Sequence, residues 1–289
     1  MDVFLPRTLP EALEIKGAHP DALPIAGGTD VMVDVNFDRL RPPAFVDVTR
    51  IPELLEWRRE DGHLFLGAGV TYTRIMAELP DLIPLAQASR TVGSPQIRNR
   101  ATVGGNLGTA SPAGDALPVL AAYDADVILA SASERTRAVP WHEFHTGVKV
   151  TALRPDELIL GSRWSLTRGP GSFSKVGTRG AMIISMAGLC LVFDEDRRAV
   201  RVALGSVAPT VVRAPEAEAF VSEAMARAGT WHDPGAEPDR AAQQEFAERV
   251  AAAARPIDDV RGTAAYRRHA CRVLAGRALA WALADRRRA

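Results

Sequence analysis

Cysteine is scarce in this sequence, with Cys190 and Cys271 the two thiols among 289 residues. Two sulfurs so far apart exclude a disulfide-stapled scaffold and suit buried thiols in a reducing compartment. They also exclude an iron–sulfur cluster held by this chain alone, because such clusters commonly take four cysteine ligands. Net charge is lacking too. The 35 basic and 35 acidic side chains cancel, so no overall field draws the protein to nucleic acid or to an anionic membrane. An anionic ligand must therefore be held by local geometry. Long apolar runs are missing: MIISMAGLCLVF, from Met182 to Phe193, is about half of the ~20 residues a membrane helix requires. The N-terminal MDVFLPRTLPEALEIKGA has neither a basic stretch nor a continuous apolar one. No secretory signal is read there, and a cytoplasmic protein is expected.

What the chain does contain is enough apolar residue, 47%, for the cores of two ordinary domains, and glycine in pairs. Residues 90–118, RTVGSPQIRNRATVGGNLGTASPAGDALP, gather glycines, hydroxyls and bare backbone around Thr102-Val103-Gly104-Gly105-Asn106, followed by Thr109, Ser111 and Asp115. A second pair lies upstream in Ile25-Ala26-Gly27-Gly28-Thr29-Asp30-Val31. Glycine permits close approach and positive φ, and successive N–H groups in a turn make a concave anion seat. Two such turns suit one ligand with more than one phosphate held between two loops. Either pair alone would equally serve a plain tight turn.

The pattern of elements is mixed. Residues 2–6 read as a strand, and Thr8 caps a helix with Pro10 in its first turn and Glu11 three residues after the cap. Pro24 to Ala26 and Ala44 to Val48 read as strands, His63 to Gly69 as a strand feeding a turn. Helices are expected from Thr71, over 82–92 and over 117–123. Asp126 to Ala130 pairs with Thr136 to Pro140, and Glu157 to Leu160 is a short strand. Glycine and proline rise at Arg168-Gly169-Pro170-Gly171, which marks a boundary. Beyond it come three antiparallel strands, 173–176, 183–193 and 199–207, then helices near 215–227, 239–254 and 263–284. The terminal Asp285-Arg286-Arg287-Arg288 reads as a solvated helix end.

Three segments taken together, AGGTD, VGSPQIRN running into ATVGGN, and ASPAGDALPVL, closely resemble the FAD-binding subunit of the molybdenum hydroxylases. That family includes the flavin subunits of xanthine dehydrogenase, aerobic carbon monoxide dehydrogenase and 4-hydroxybenzoyl-CoA reductase. The likeness runs from about residue 3 to 281, including Arg261-Gly262-Thr263-Ala264-Ala265-Tyr266-Arg267-Arg268. It implies an α+β fold, with a two-part FAD-binding domain of the PCMH-type, vanillyl-alcohol-oxidase-like kind over residues 1–167. A smaller domain with a three-stranded antiparallel sheet and helices would follow over 168–289.

Carried over position by position, the resemblance implies FAD contacts from Pro24, Ile25, Ala26, Gly27, Gly28, Thr29, Asp30 and Val31. Others would come from Thr102, Val103, Gly104, Gly105 and Asn106, and from Ser111, Asp115, Ile159 and Lys175. Main-chain amides would supply most donors to the pyrophosphate, with the Thr29 and Thr102 hydroxyls adding two. Asp115 would meet a ribose hydroxyl or a loop amide rather than phosphate; a helix N-cap ahead of Leu117 is its alternative. Lys175 would stabilise the negative charge of the reduced flavin, or else be a solvated strand lysine. Some relatives carry an aromatic residue at the position of Arg179, so the stacking partner of the flavin ring stays open.

The resemblance also implies partners: a large subunit with the molybdenum cofactor and a small one with [2Fe–2S] clusters. This chain would carry FAD, take their electrons and pass them to NAD+ or another acceptor. No catalytic acid or base and no metal ligand is expected here. Xanthine or a related heterocycle is the expected substrate of the complex, with carbon monoxide, nicotine-like heterocycles and aldehydes open. The 4-hydroxybenzoyl-CoA reductase branch is disfavoured, because its cysteine-bearing insertion is missing. Two other readings stand beside this one, a stand-alone flavin oxidoreductase and a non-catalytic nucleotide-binding subunit. Gly67-Ala68-Gly69 begins like a dinucleotide fingerprint, but Tyr72 stands where the third glycine belongs. His142 and His145 have metal-like spacing without further ligands nearby and read as structural or surface histidines.

Overall fold

Thr8 begins the first helix as its chemistry dictates. It has extended backbone at the N-cap of Leu9–Ala18 and accepts from the Glu11 amide at 3.3 Å, while Glu11 accepts from the Arg7 amide at 2.8 Å. Two otherwise orphaned donors are thereby satisfied. The structure is a computed structural model and describes every residue except Arg135 and Ala289. Its contacts divide the chain into two units. The first comprises Met1–Glu78, Val92–Ser111 and Asp124–Ser165; the second comprises Leu79–Thr91, Pro112–Tyr123 and Leu166–Ala289.

In the first unit, the strand Ala44–Asp47 lies between Asp2–Phe4 and Leu23–Ile25, parallel to both, with Val3 opposite Phe45 and Pro24 opposite Val46. Leu9–Ala18 carries the chain from Asp2–Phe4 to Leu23–Ile25 on the other side of Ala44–Asp47, as parallel strands require a crossover, and turns Ala12 into a core shared with Val46, Ile51 and Leu54. An antiparallel sheet of five strands follows, in the order Trp57–Glu60, His63–Gly67, Leu158–Ser165, Asp126–Ala130, Arg137–Pro140. Its central strand is twice the length read from the sequence. Gly161-Ser162-Arg163 breaks the apolar run, yet pairing on both sides sustains the strand past a shift in register at Ile159. A small hairpin, His145–Gly147 with Val150–Thr151, was not foreseen. Val31–Asn36 is a short helix.

The second unit is built on Gly171–Val176, Ala187–Asp194 and Ala199–Gly205, to which a two-residue strand, Val212–Arg213, is added as a fourth. Ile183, Ile184 and Ser185 precede the second strand rather than belonging to it. Ala187–Asp194 is buried at every position. The alternation of a strand explains how: Ala187, Leu189, Leu191 and Phe193 face a core with Val221, Met225, Phe246 and Leu274. The intervening residues face the other way. The helices Ile83–Thr91 and Leu117–Ala122 pack on the sheet there, with Pro84 close to Gly171 and Pro118 close to Gly205. A strand covered on both faces reads as a continuous apolar run.

Three helices, Pro215–Ala228, Arg240–Ala253 and Ala264–Arg286, complete the unit, the last two capped by Asp239 and Thr263. Cys190 and Cys271 are free and buried within it, and burial pushes both thiols up, Cys271 to about 12. The terminal basic run is not wholly solvated. Arg286 is 9% exposed, donates to Glu195 at 2.8 Å and reaches the Thr230 carbonyl. A guanidinium taken out of water in this way needs such partners.

Candidate functional site

The strand Leu23–Ile25 delivers the first glycine pair into a turn that has no room for side chains. A Cβ on Gly27 would fall inside the carbonyl of Arg100 and 3.0 Å from the Cα of Ala101, and Gly28 has φ +74°. Close approach at one position and positive φ at the next require glycine at both. The turn is open on its donor side. Among the described residues, nothing accepts a hydrogen bond from the amides of Gly27, Gly28, Thr29, Asp30 or Val31. Five successive unspent N–H groups are what an anion seat consists of.

The second glycine pair differs. Thr102 is the N-cap of Val103–Thr109, and its hydroxyl accepts from the Gly105 amide at 3.0 Å. The Val103 amide donates to Val70 O at 3.3 Å, Gly104 to Ala68 O at 2.9 Å and Asn106 to Thr102 O at 3.1 Å. A Cβ on Gly104 would lie 2.7 Å from Ala68 O. Of the amides expected to share in holding phosphate, those of Val103, Gly104, Gly105 and Asn106 are therefore already committed. The helix holds two side chains in place instead. Tyr72 Oη donates to Asn106 Oδ1 at 2.6 Å, and Thr109 Oγ1 donates to Asp30 Oδ2 at 3.1 Å.

Both turns face one cavity of about 450 Å³, lined wholly by residues of the first unit. Pro24 to Val31 line it without exception, as do Thr102, Gly104, Gly105, Asn106 and Ile159. Val103 does not; its side chain is buried behind the helix. Ser111 belongs to the same unit and is not part of the lining. Residues that sequence reasoning missed complete the wall, Leu40, Val48 and Leu153 on the apolar side and Asp34 and Lys149 on the polar, where Thr109, noted in the sequence beside the second glycine pair, joins them. Among the described lining residues, Asp30, Asp34 and Lys149 carry charge, and no histidine or cysteine is present. Lys149 is placed by the unforeseen hairpin and donates to Asp34 Oδ2 at 3.4 Å. Main-chain donors on one side and aliphatic walls on the other suit an anionic group joined to a ring system.

Asp115 and Lys175 belong to the second unit, where they pair with each other. Lys175 Nζ donates to Asp115 Oδ2 at 2.5 Å, Thr91 O at 2.9 Å and Ile183 O at 3.0 Å, and the Thr91 hydroxyl donates to the same carboxylate oxygen at 2.9 Å. Lys175 is thus neither solvated nor free. Asp115 is not the cap of Leu117–Ala122; Ala116 stands there. Burial pushes the Asp115 carboxyl above its ordinary range, against the pull of Lys175 and Thr91, and its Oδ1 has no partner among the described residues. The two histidines do not meet at a site. His142 is exposed beside Glu143, and the ring of His145 bonds the Leu107 carbonyl at 3.1 Å.

The chain is similar to known proteins along most of its length. Residues 1–162 match the family described as the FAD binding domain in molybdopterin dehydrogenase, and residues 174–282 match the CO dehydrogenase flavoprotein C-terminal domain. Caffeine dehydrogenase subunit beta of Pseudomonas sp. (strain CBB1) is 33% identical over 73% of this chain and 75% of its own. Xanthine dehydrogenase of Emericella nidulans is 29% identical over 76% of this chain, which spans 17% of that longer protein. Among solved structures, a carbon monoxide dehydrogenase from Hydrogenophaga pseudoflava superposes with a TM-score of 0.86 at 26% identity, covering 99% of this chain and 98% of the other.

Proposed function

We infer the role of this chain from its belonging to the FAD-binding family of the molybdopterin dehydrogenases and from the five unspent amides that line its cavity. We read it as the flavin subunit of a molybdenum hydroxylase, holding the FAD diphosphate mainly at Gly27 to Val31. The fit is physical. A Cβ would close the turn at Gly27, the donors point to an anion, and Leu23, Leu153, Leu158 and Ile159 offer apolar surface to a ring. Thr102, Gly104, Gly105 and Asn106 form the facing wall, with the Asn106 amide oriented by Tyr72. The same resemblance assigns Ser111, Asp115 and Lys175 to the cofactor. Since Lys175 and Asp115 neutralise one another in this structure, their assignment rests on that resemblance alone.

When bound, FAD supplies the redox step, accepting electrons and handing on a pair, most simply as hydride to NAD+. The protein's part is to bind, orient and exclude water. Hydroxylation falls to a partner with the molybdenum cofactor, and [2Fe–2S] clusters to a second partner; the two buried thiols here cannot supply such a cluster. Xanthine or a related heterocycle is the proposed substrate of the complex, supported by relatives named for xanthine and caffeine.

The test begins with this 289-residue chain, incubated with FAD and desalted. Bound flavin should give a yellow protein whose fold gains ~3 kcal/mol at a hundredfold excess of FAD over its dissociation constant. A preparation that stays colourless with an unchanged melting temperature would sink the reading. Anaerobic NADH should then bleach the bound flavin, and a flavin indifferent to NADH would remove NAD+ as the acceptor. Isolation of the native complex should bring down molybdenum and iron–sulfur subunits.

A further inference from the structure

We propose that Lys149 is the cation that neutralises the diphosphate of the bound cofactor, giving up Asp34 to do so; this rests on the flavin-subunit reading above. Charge balance leads to it. A diphosphate brings negative charge into a cavity whose described lining already holds two carboxylates, Asp30 and Asp34, against one ammonium. Main-chain amides carry partial charges only, so among the described lining residues the one full positive charge belongs to Lys149.

Asp30 is engaged by the Thr109 hydroxyl at 3.1 Å. Asp34 has two cations near it, Lys149 at 3.4 Å and Arg39 at 3.9 Å. The departure of Lys149 therefore leaves Asp34 with Arg39. The backbone of Lys149 is fixed: its amide donates to Ala110 O at 3.1 Å, and the residue sits at φ +57° in the turn of the small hairpin. That conformation suits glycine or asparagine better than lysine. The side chain is 59% exposed, so its ammonium remains hydrated and mobile and loses little by changing partners. A fixed backbone and a free head make a residue that closes over a charged ligand and ignores an uncharged one.

FAD affinity is to be measured at low and high salt for the wild-type chain, Lys149→Met, Lys149→Arg and Asp34→Asn. Lys149→Met should raise the dissociation constant about tenfold at low salt, as loss of a charge-assisted hydrogen bond does, and should flatten its salt dependence. Lys149→Arg should keep both affinity and salt dependence near wild type. Asp34→Asn should tighten binding, because the competitor for Lys149 is gone; this variant decides the matter if Lys149→Met does not fold. Unchanged affinity in Lys149→Met, an equal loss at low and high salt, or weaker binding in Asp34→Asn would each overturn the assignment while leaving the flavin reading intact. A wild-type chain that does not bind FAD would overturn both.

Discussion

The two glycine pairs look alike in sequence and behave as opposites in the fold. At Gly27-Gly28 the backbone presses against Arg100 and Ala101 while the following amides remain open. At Gly104-Gly105 the amides are consumed by Ala68 and the Thr102 hydroxyl, and Gly104 serves close packing of one backbone on another. One pair is a seat and the other is a joint. What separates them is the destination of their N–H groups, since a donor already bonded to protein cannot be spent on a ligand.

The comparison is broken most forcefully at Gly27. Substituting alanine drives a Cβ into the Arg100 carbonyl, and backbone cannot step aside as a side-chain tip would. Overpacking of this kind costs roughly 1–3 kcal/mol, and Gly27→Ala should stand near the upper end, measured by urea unfolding of the flavin-free chain. It should also abolish retention of FAD on desalting, because the seat itself is displaced. A Gly27→Ala protein that stays yellow with wild-type affinity would mean that the seat lies elsewhere.

A gentler change at the joint sharpens the contrast. Thr102→Ala removes the cap on Val103–Thr109, worth about 1 kcal/mol, and Thr102→Ser should restore it. Because the cap acts within the protein, FAD affinity should fall far less than in Gly27→Ala, with the loss appearing in the denaturation midpoint. Were Thr102→Ala to weaken FAD as severely as it weakens the fold, the hydroxyl would be a ligand donor and the two pairs would be alike after all.

How far each feature was legible follows from how local its cause is. Thr8 and Glu11 announce a helix start within four residues, and the helices after residue 214 were readable to within two residues, since caps and apolar period lie side by side in the chain. The open turn at Gly27 was legible as a glycine pair, and Ile159 only through family resemblance. The commitment of the Gly104 amide was not legible, because its acceptor, Ala68, arrives from a distant strand end. Lys149 and Asp34 were missed for the same reason, although Asp34 stands four positions after Asp30, one turn on in a helix. The second face of the sheet around Ala187–Asp194 is covered by Ile83–Thr91 and Leu117–Ala122, stretches no linear reading assigns to it. The continuous apolar run of that strand was the trace they left.

The smallest effect concerns how the joint is pinned from its other side. His145, on the small hairpin, bonds Leu107 O within Val103–Thr109. Burial lowers its pKa below the ordinary 6.5, against the pull of that carbonyl. The unfolded chain thus takes up a proton at a higher pH than the folded one. Stability from the neutral ring is full above 6.5 and is lost as pH falls through that value toward the folded one. His145→Gln keeps an N–H for Leu107 but does not titrate, so the acid-side decline between the two pKa values should be shallower in the variant, by less than the whole effect at Thr102. Urea midpoints measured against pH for both proteins decide it, and parallel curves would show that His145 is charged in the fold without cost.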